Sequence, residues 1–116
     1  MSEAKHVDLD RALQWLEGDE RMLERIRQLF MRNIPEQMRG LKEALDGGDF
    51  VLLERIAHTI KGSASMMGAV QMSQEAAVIE QHAMKRDLAA AQTGYPAIAA
   101  EYELVMEALK ALGEEG

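Results

Sequence analysis

Apolar residues recur at every third or fourth position along most of this chain, which is the spacing of a helix that buries one face. The pattern predicts five helices, at residues 9–16, 20–46, 50–67, 70–86 and 88–112. Four of them directly follow an aspartate, whose carboxylate can accept hydrogen bonds from the free amides of a first helical turn. These four predicted N-caps are Asp8, Asp19, Asp49 and Asp87.

Two prolines fall inside predicted helices. Pro35 interrupts the second helix, but no turn residues flank it, so we expect one helix with a kink near Pro35. Two separate helices that meet at Pro35 are the alternative. Gly94 and Pro96 lie near the start of the fifth helix and predict a bend there.

Short connections between four long amphipathic helices predict an all-α fold, an antiparallel up-down four-helix bundle. The short first helix would cover one end of this bundle. We place the domain at residues 7–112 and expect residues 1–6 and 113–116 to be flexible termini.

The composition narrows the possible functions. A chain of 116 residues is long enough for one domain with one core, and 47% hydrophobic residues with only 4% aromatic ones are typical of a helical protein. The net charge of −7 disfavours a nucleic-acid-binding protein, which needs a basic surface. Since the chain has no cysteine, we expect no disulfide or thiol chemistry.

The sequence shows no membrane-spanning segment, no secretory signal and no common nucleotide-binding or di-iron motif. No apolar run approaches the ~20 residues of a membrane span, and the N-terminus has no apolar segment of a secretory signal. We therefore expect a cytoplasmic protein that does not interact with a membrane. Neither a Walker phosphate loop nor the paired Glu-x-x-His segments of a di-iron bundle are present.

His58 falls on the polar side of the third predicted helix. In a projection at 100° per residue, an apolar stripe is formed by Leu52, Leu53, Ile56, Thr59, Ile60, Ser63 and Met67. The opposite side carries Glu54, His58, Lys61, Gly62 and Ser65. We therefore expect an exposed imidazole, which in its neutral form can act as a nucleophile. Gly62 costs about 1 kcal/mol relative to alanine in a helix interior, which suggests that a bare position is needed there, for example so that a partner can approach the ring closely.

The run from Ala57 to Ala69 resembles the phosphoacceptor motif of histidine-containing phosphotransfer (HPt) domains. That motif reads roughly His-x-aliphatic-Lys-Gly-small-small-x-x-apolar-Gly. Here it is filled by His58, Ile60, Lys61, Gly62, Ser63, Ala64, Met67 and Gly68. The segments at 7–13, 18–20 and 48–49, with Phe30 and Pro35, are also similar to this family, so the resemblance covers residues 7–112.

The resemblance implies a stand-alone phosphocarrier in bacterial-type two-component signalling. His58 would accept a phosphoryl group, through Nε2, from the phospho-aspartate of a receiver domain and pass it to another receiver. Lys61 would stabilise the phosphoryl oxygens, and Gly62, Val51, Glu54 and Ser65 would form the docking surface. The chain would be a monomer without ATP, metal or cofactor sites, and Mg²⁺ would come with the receiver. The implied partners are receiver domains and a hybrid histidine kinase.

A second polar residue is expected beside the histidine. Members of the family often have a side chain on the following helix that hydrogen-bonds the ring, and by spacing Glu80 matches this position. A carboxylate here differs from the amide of some members, and Gln81 is the alternative. His6 and His82 are expected to be solvated, since nothing in the sequence pairs with them.

Two other functions remain open. A related alternative is the histidine-bearing domain of a chemotaxis-type kinase, which a catalytic domain phosphorylates directly, and we expect this less because the chain contains no further domain. A helical adaptor that binds partners through the His58 face without phosphorylation is the alternative of a different class. Incorporation of acid-labile phosphate would distinguish the carrier from the adaptor.

Overall fold

A computed structural model describes residues 6–115, with side chains described for residues 6–112. It contains α1 (Leu9–Trp15), α2 (Glu20–Gly47), α3 (Phe50–Met66), α4 (Val70–Met84) and α5 (Leu88–Glu115). No strand occurs within the described range. Helices α2 to α5 pack as an antiparallel up-down four-helix bundle, and α1 packs against α2 and α3. The predicted fold class is confirmed, and α5 runs three residues past its predicted end.

The aspartate caps explain where four of the helices begin. Asp8, Asp19, Asp49 and Asp87 each accept a hydrogen bond from the backbone amide three residues later, at 3.0–3.1 Å. Each carboxylate satisfies one of the amides that a first helical turn leaves unpaired. The predicted caps are confirmed.

Both prolines lie inside continuous helices. Helix α2 passes through Pro35 and α5 through Pro96 without a break, so the alternative of two helices meeting at Pro35 is wrong. An internal proline costs roughly 3 kcal/mol. Ile34 and Met38, on either side of Pro35, are both buried, and their packing holds the helix together across it.

The buried face of α3 is turned further toward α4 than the sequence predicts. Leu53, Ala57, Ile60 and Ala64 are fully buried, whereas Thr59 is exposed. Helix α3 makes its most extensive contact with α4, and small residues such as Ala57 allow the two helices to approach closely. Glu54, Lys61 and Ser65, which are predicted on the side opposite the apolar stripe, are half-buried, whereas His58 and Gly62 on that side are exposed.

A short N-terminal segment closes one end of the bundle. The side chain of Val7 is buried, and the amide of Asp8 donates a hydrogen bond of 2.7 Å to the carbonyl of Gly68, between α3 and α4. Gly68 has a φ of +76°, and a Cβ there would lie 2.1 Å from the carbonyl oxygen of Asp8. Glycine is therefore required here by both its backbone conformation and the close approach.

The prediction that His6 is solvated without a partner is wrong. Its Nδ1 lies 2.9 Å from a carboxylate oxygen of Glu101, a residue of α5 that is only 7% exposed. His82 is half-buried on α4. The flexibility predicted for residues 1–6 and 113–116 stays a prediction, and residues 1–5 and 116 lie outside the described residues.

Candidate functional site

His58 and Gly62 form an open surface in the middle of α3. The His58 side chain is 67% exposed. Gly62 is exposed one turn later, and a Cβ built on it would meet no atom within 4 Å. Because residues four apart lie above one another on a helix, nothing from Gly62 screens the imidazole. The exposure predicted for both residues is confirmed.

Glu80, on α4, contacts the ring of His58. Its Oε2 lies 2.9 Å from His58 Nδ1, and its side chain is only 9% exposed. The neighbouring Gln81 is exposed, and its amide lies near Met84 instead. The register of α3 against α4 therefore brings Glu80, rather than Gln81, to the histidine.

Lys61 completes a cluster of three charged or ionisable side chains. Its Nζ lies 2.7 Å from the other carboxylate oxygen of Glu80, and its side chain is 35% exposed. The hydroxyl of Ser73 on α4 donates a hydrogen bond of 3.0 Å to the Lys61 carbonyl oxygen. This bond links the two helices within the same turn of α3 that positions the lysine.

The electrostatics of the cluster keep Glu80 ionised. Burial acts to raise the pKa of Glu80, but the Lys61 ammonium and the hydrogen bond with His58 outweigh it, and the net pKa is lowered. An ionised carboxylate only accepts hydrogen bonds. A neutral His58 ring must then carry its proton on Nδ1 and donate it to Glu80. The lone pair of Nε2 is consequently left free on the opposite edge of the ring.

A cavity of about 470 Å³ lies beside the imidazole. It is lined by Val51, Glu54, Arg55, His58, Thr59 and Glu80. Val51 is 62% exposed, and Glu54 contributes a half-buried flank. Ser65 lies about two turns beyond His58 and does not line this cavity. The sequence predicts no site role for Arg55 or Thr59, although the spacing of Arg55, three residues before His58, places it one turn away.

The described residues hold no cluster suited to a metal ion. Among the side chains described for residues 6–112, no group of three or more His, Cys, Asp or Glu is arranged to bind one. None of the helices in the same range is long and apolar enough to cross a membrane.

The chain is similar to known histidine phosphotransfer proteins in both sequence and fold. Residues 25–112 match the family model of the Hpt domain. The fold is similar to the crystal structure of histidine-containing phosphotransfer protein B (HptB) from Pseudomonas aeruginosa PAO1, with a TM-score of 0.88 and 26% sequence identity. The alignment covers 97% of this chain and 98% of that one. No curated protein sequence matches the chain significantly.

Proposed function

Because the chain belongs to the Hpt domain family and therefore has a role in phosphorelay, we propose that His58 is its phosphoryl acceptor. In this proposal His58 takes the phosphoryl group from the phospho-aspartate of one receiver domain and passes it to the aspartate of another. The observation that carries the proposal is the exposed ring of His58, held through Nδ1 by a buried, ionised carboxylate. This arrangement leaves Nε2 as the accessible nucleophile.

The transfer step follows from these contacts. The lone pair of Nε2 attacks phosphorus, the bond from phosphorus to the aspartate oxygen breaks, and the aspartate leaves as a carboxylate. The proton on Nδ1 stays in place, so the phosphorylated ring is cationic, and Glu80 lies beside it at 2.9 Å. A fixed negative charge at that distance stabilises the cation and also fixes the angle of the ring for in-line attack.

Lys61 supplies positive charge on the same side of the helix. One contact of its ammonium is with Glu80, but an ammonium group has three donors. The others are available to the phosphoryl oxygens once these are attached one turn earlier on α3. In this proposal Mg²⁺ comes with the receiver and neutralises charge during the transfer.

The docking surface consists of the residues around the ring that leave space for a receiver. Gly62 presents bare backbone, Val51 an exposed apolar side chain, and Glu54 and Ser65 polar flanks. We further propose that the chain acts as a monomeric cytoplasmic carrier, without turnover of ATP, and that a hybrid histidine kinase provides the first receiver.

The experiment incubates the chain with a panel of receivers carrying radioactive phosphate and measures which of them lose label to it. Wild type should gain acid-labile, alkali-stable label, and His58→Gln should gain none. His82→Gln is the matched control, because it removes another histidine of the bundle, and it should label normally. Label that persists in His58→Gln would contradict the assignment, and binding of receivers without any labelling of wild type would favour the adaptor.

A further inference from the structure

The cavity beside His58 is lined by a basic residue, Arg55, that has no role in the transfer step proposed for His58. Arg55 lies on α3, three residues before the histidine, and is exposed at the wall of the cavity. Among the side chains described for residues 6–112, Arg55 forms no ion pair. Its guanidinium is therefore available to an anion that enters the cavity.

The orientation of the imidazole brings its free nitrogen over this part of α3. Side chains on a helix tilt toward its N-terminus, so the ring of His58 lies over the preceding turn, which carries Glu54 and Arg55. Glu80 occupies the Nδ1 edge of the ring. A phosphoryl group on Nε2 would therefore extend from the open edge, within reach of the long Arg55 side chain.

The two cations near His58 differ in what already neutralises them. The Lys61 ammonium lies 2.7 Å from Glu80 and is partly buried, so some of its charge is balanced before any phosphoryl group arrives. Arg55 has no such partner among the described side chains. Its planar guanidinium also presents several donors in a fork that matches the oxygens of a phosphoryl group.

We propose that Arg55 binds the phosphoryl oxygens carried on His58, so that Arg55 and Lys61 bracket the group from the turns before and after the histidine. The inference rests on the proposed function, because it requires a phosphorylated His58. Glu54 lines the same cavity, and its carboxylate would repel the group that Arg55 attracts.

In the test, the full chain is phosphorylated by phosphoramidate, a small phosphoryl donor that acts without a receiver. Phosphorus-31 NMR then follows the last ionisation of the phosphohistidine phosphoryl group as the pH is varied. A nearby cation favours the dianion, so Arg55→Gln should move the midpoint up by about 0.5 in pH, as expected for two exposed charges roughly 5 Å apart in water. Glu54→Gln should move it down.

Two further variants serve as controls. Arg55→Lys keeps the charge and should move the midpoint less than Arg55→Gln does. Arg32→Gln removes another exposed arginine, from α2, and should leave the midpoint unchanged. Equal midpoints for Arg55→Gln and Arg32→Gln would overturn the inference while leaving His58 as the acceptor. A wild-type chain that takes up no acid-labile phosphate, from phosphoramidate or from receivers, would overturn the proposed function as well.

Discussion

Replacing Gly62 by glutamine should stabilise the isolated protein and slow phosphotransfer. A Cβ at this position would meet no atom within 4 Å, so the new side chain has room in the free protein. Removing a glycine from an exposed helix interior is worth up to about 1 kcal/mol through helix propensity and the unfolded chain. For a protein of this size that corresponds to a rise of roughly 3 to 6 °C in melting temperature.

The same side chain would obstruct the acceptor. Side chains on a helix lie over the preceding turn, and for residue 62 this turn carries His58. A receiver must bring its phosphorylated aspartate to about 3–3.5 Å from Nε2, and a misplacement of about 1 Å can cost ~100-fold in rate. We therefore expect transfer from a phosphorylated receiver to fall at least ~10-fold, as measured by rapid-quench transfer of radioactive phosphate.

Gly62→Ala is the matched control, because it gains at least as much helix propensity as Gly62→Gln with a single added carbon. It should be stabilised by about 1 kcal/mol and should transfer faster than Gly62→Gln. A lower melting temperature for Gly62→Gln would show that this position is packed inside the bundle. A stabilised Gly62→Gln that transfers at the wild-type rate would show that the bare surface beside His58 is not needed for docking.

Four other predictions concern the residues around the ring and the end of the bundle. His58→Gln should keep its stability within about 0.5 kcal/mol, since the ring is exposed, and chemical denaturation measures this. Gly68→Ala should lose roughly 2–4 kcal/mol in the same assay, because the added Cβ would displace Asp8, break its hydrogen bond and strain a left-handed backbone. Glu80 has a lowered pKa in the folded state, so its ionised form stabilises the fold above the ordinary pKa of a glutamate. That contribution is lost as the pH falls through the lowered value, and denaturation at several pH values should show a shallower loss for Glu80→Gln. Lys61→Ala should destabilise the protein by about 1 kcal/mol, because it leaves the buried Glu80 without its cation, and should slow transfer. An unchanged stability for Gly68→Ala, a pH profile for Glu80→Gln that matches wild type, or a Lys61→Ala variant that transfers normally would each contradict its prediction.

The helices of this protein could be predicted from the sequence because their signals are local. An aspartate cap acts on an amide three residues away, and the 3.6-residue period is contained in each segment. The predicted ends consequently agree with the observed ones to within three residues. The exposure of His58 and Gly62 follows from the same angular rule within one helix.

Only the packing of one helix on another decided how the site is assembled. Glu80 and Gln81 are adjacent polar residues, and the sequence could not settle which of them would reach His58. Which of the two residues contacts His58 depends on the register and rotation of α4 against α3, and the side chains of both helices contribute to that packing.

The sequence also did not predict the rotation of α3 about its own axis, which decides which of its residues are buried. Ala57 and Thr59 are both small, and hydropathy did not show that Ala57 would be buried and Thr59 exposed. The contact of His6 with Glu101 spans 95 positions and leaves no trace in any local pattern. Local hydrogen bonds and periodicity determine which segments become helices, whereas the pairing of distant polar groups follows from the way complementary surfaces exclude water when the helices pack together.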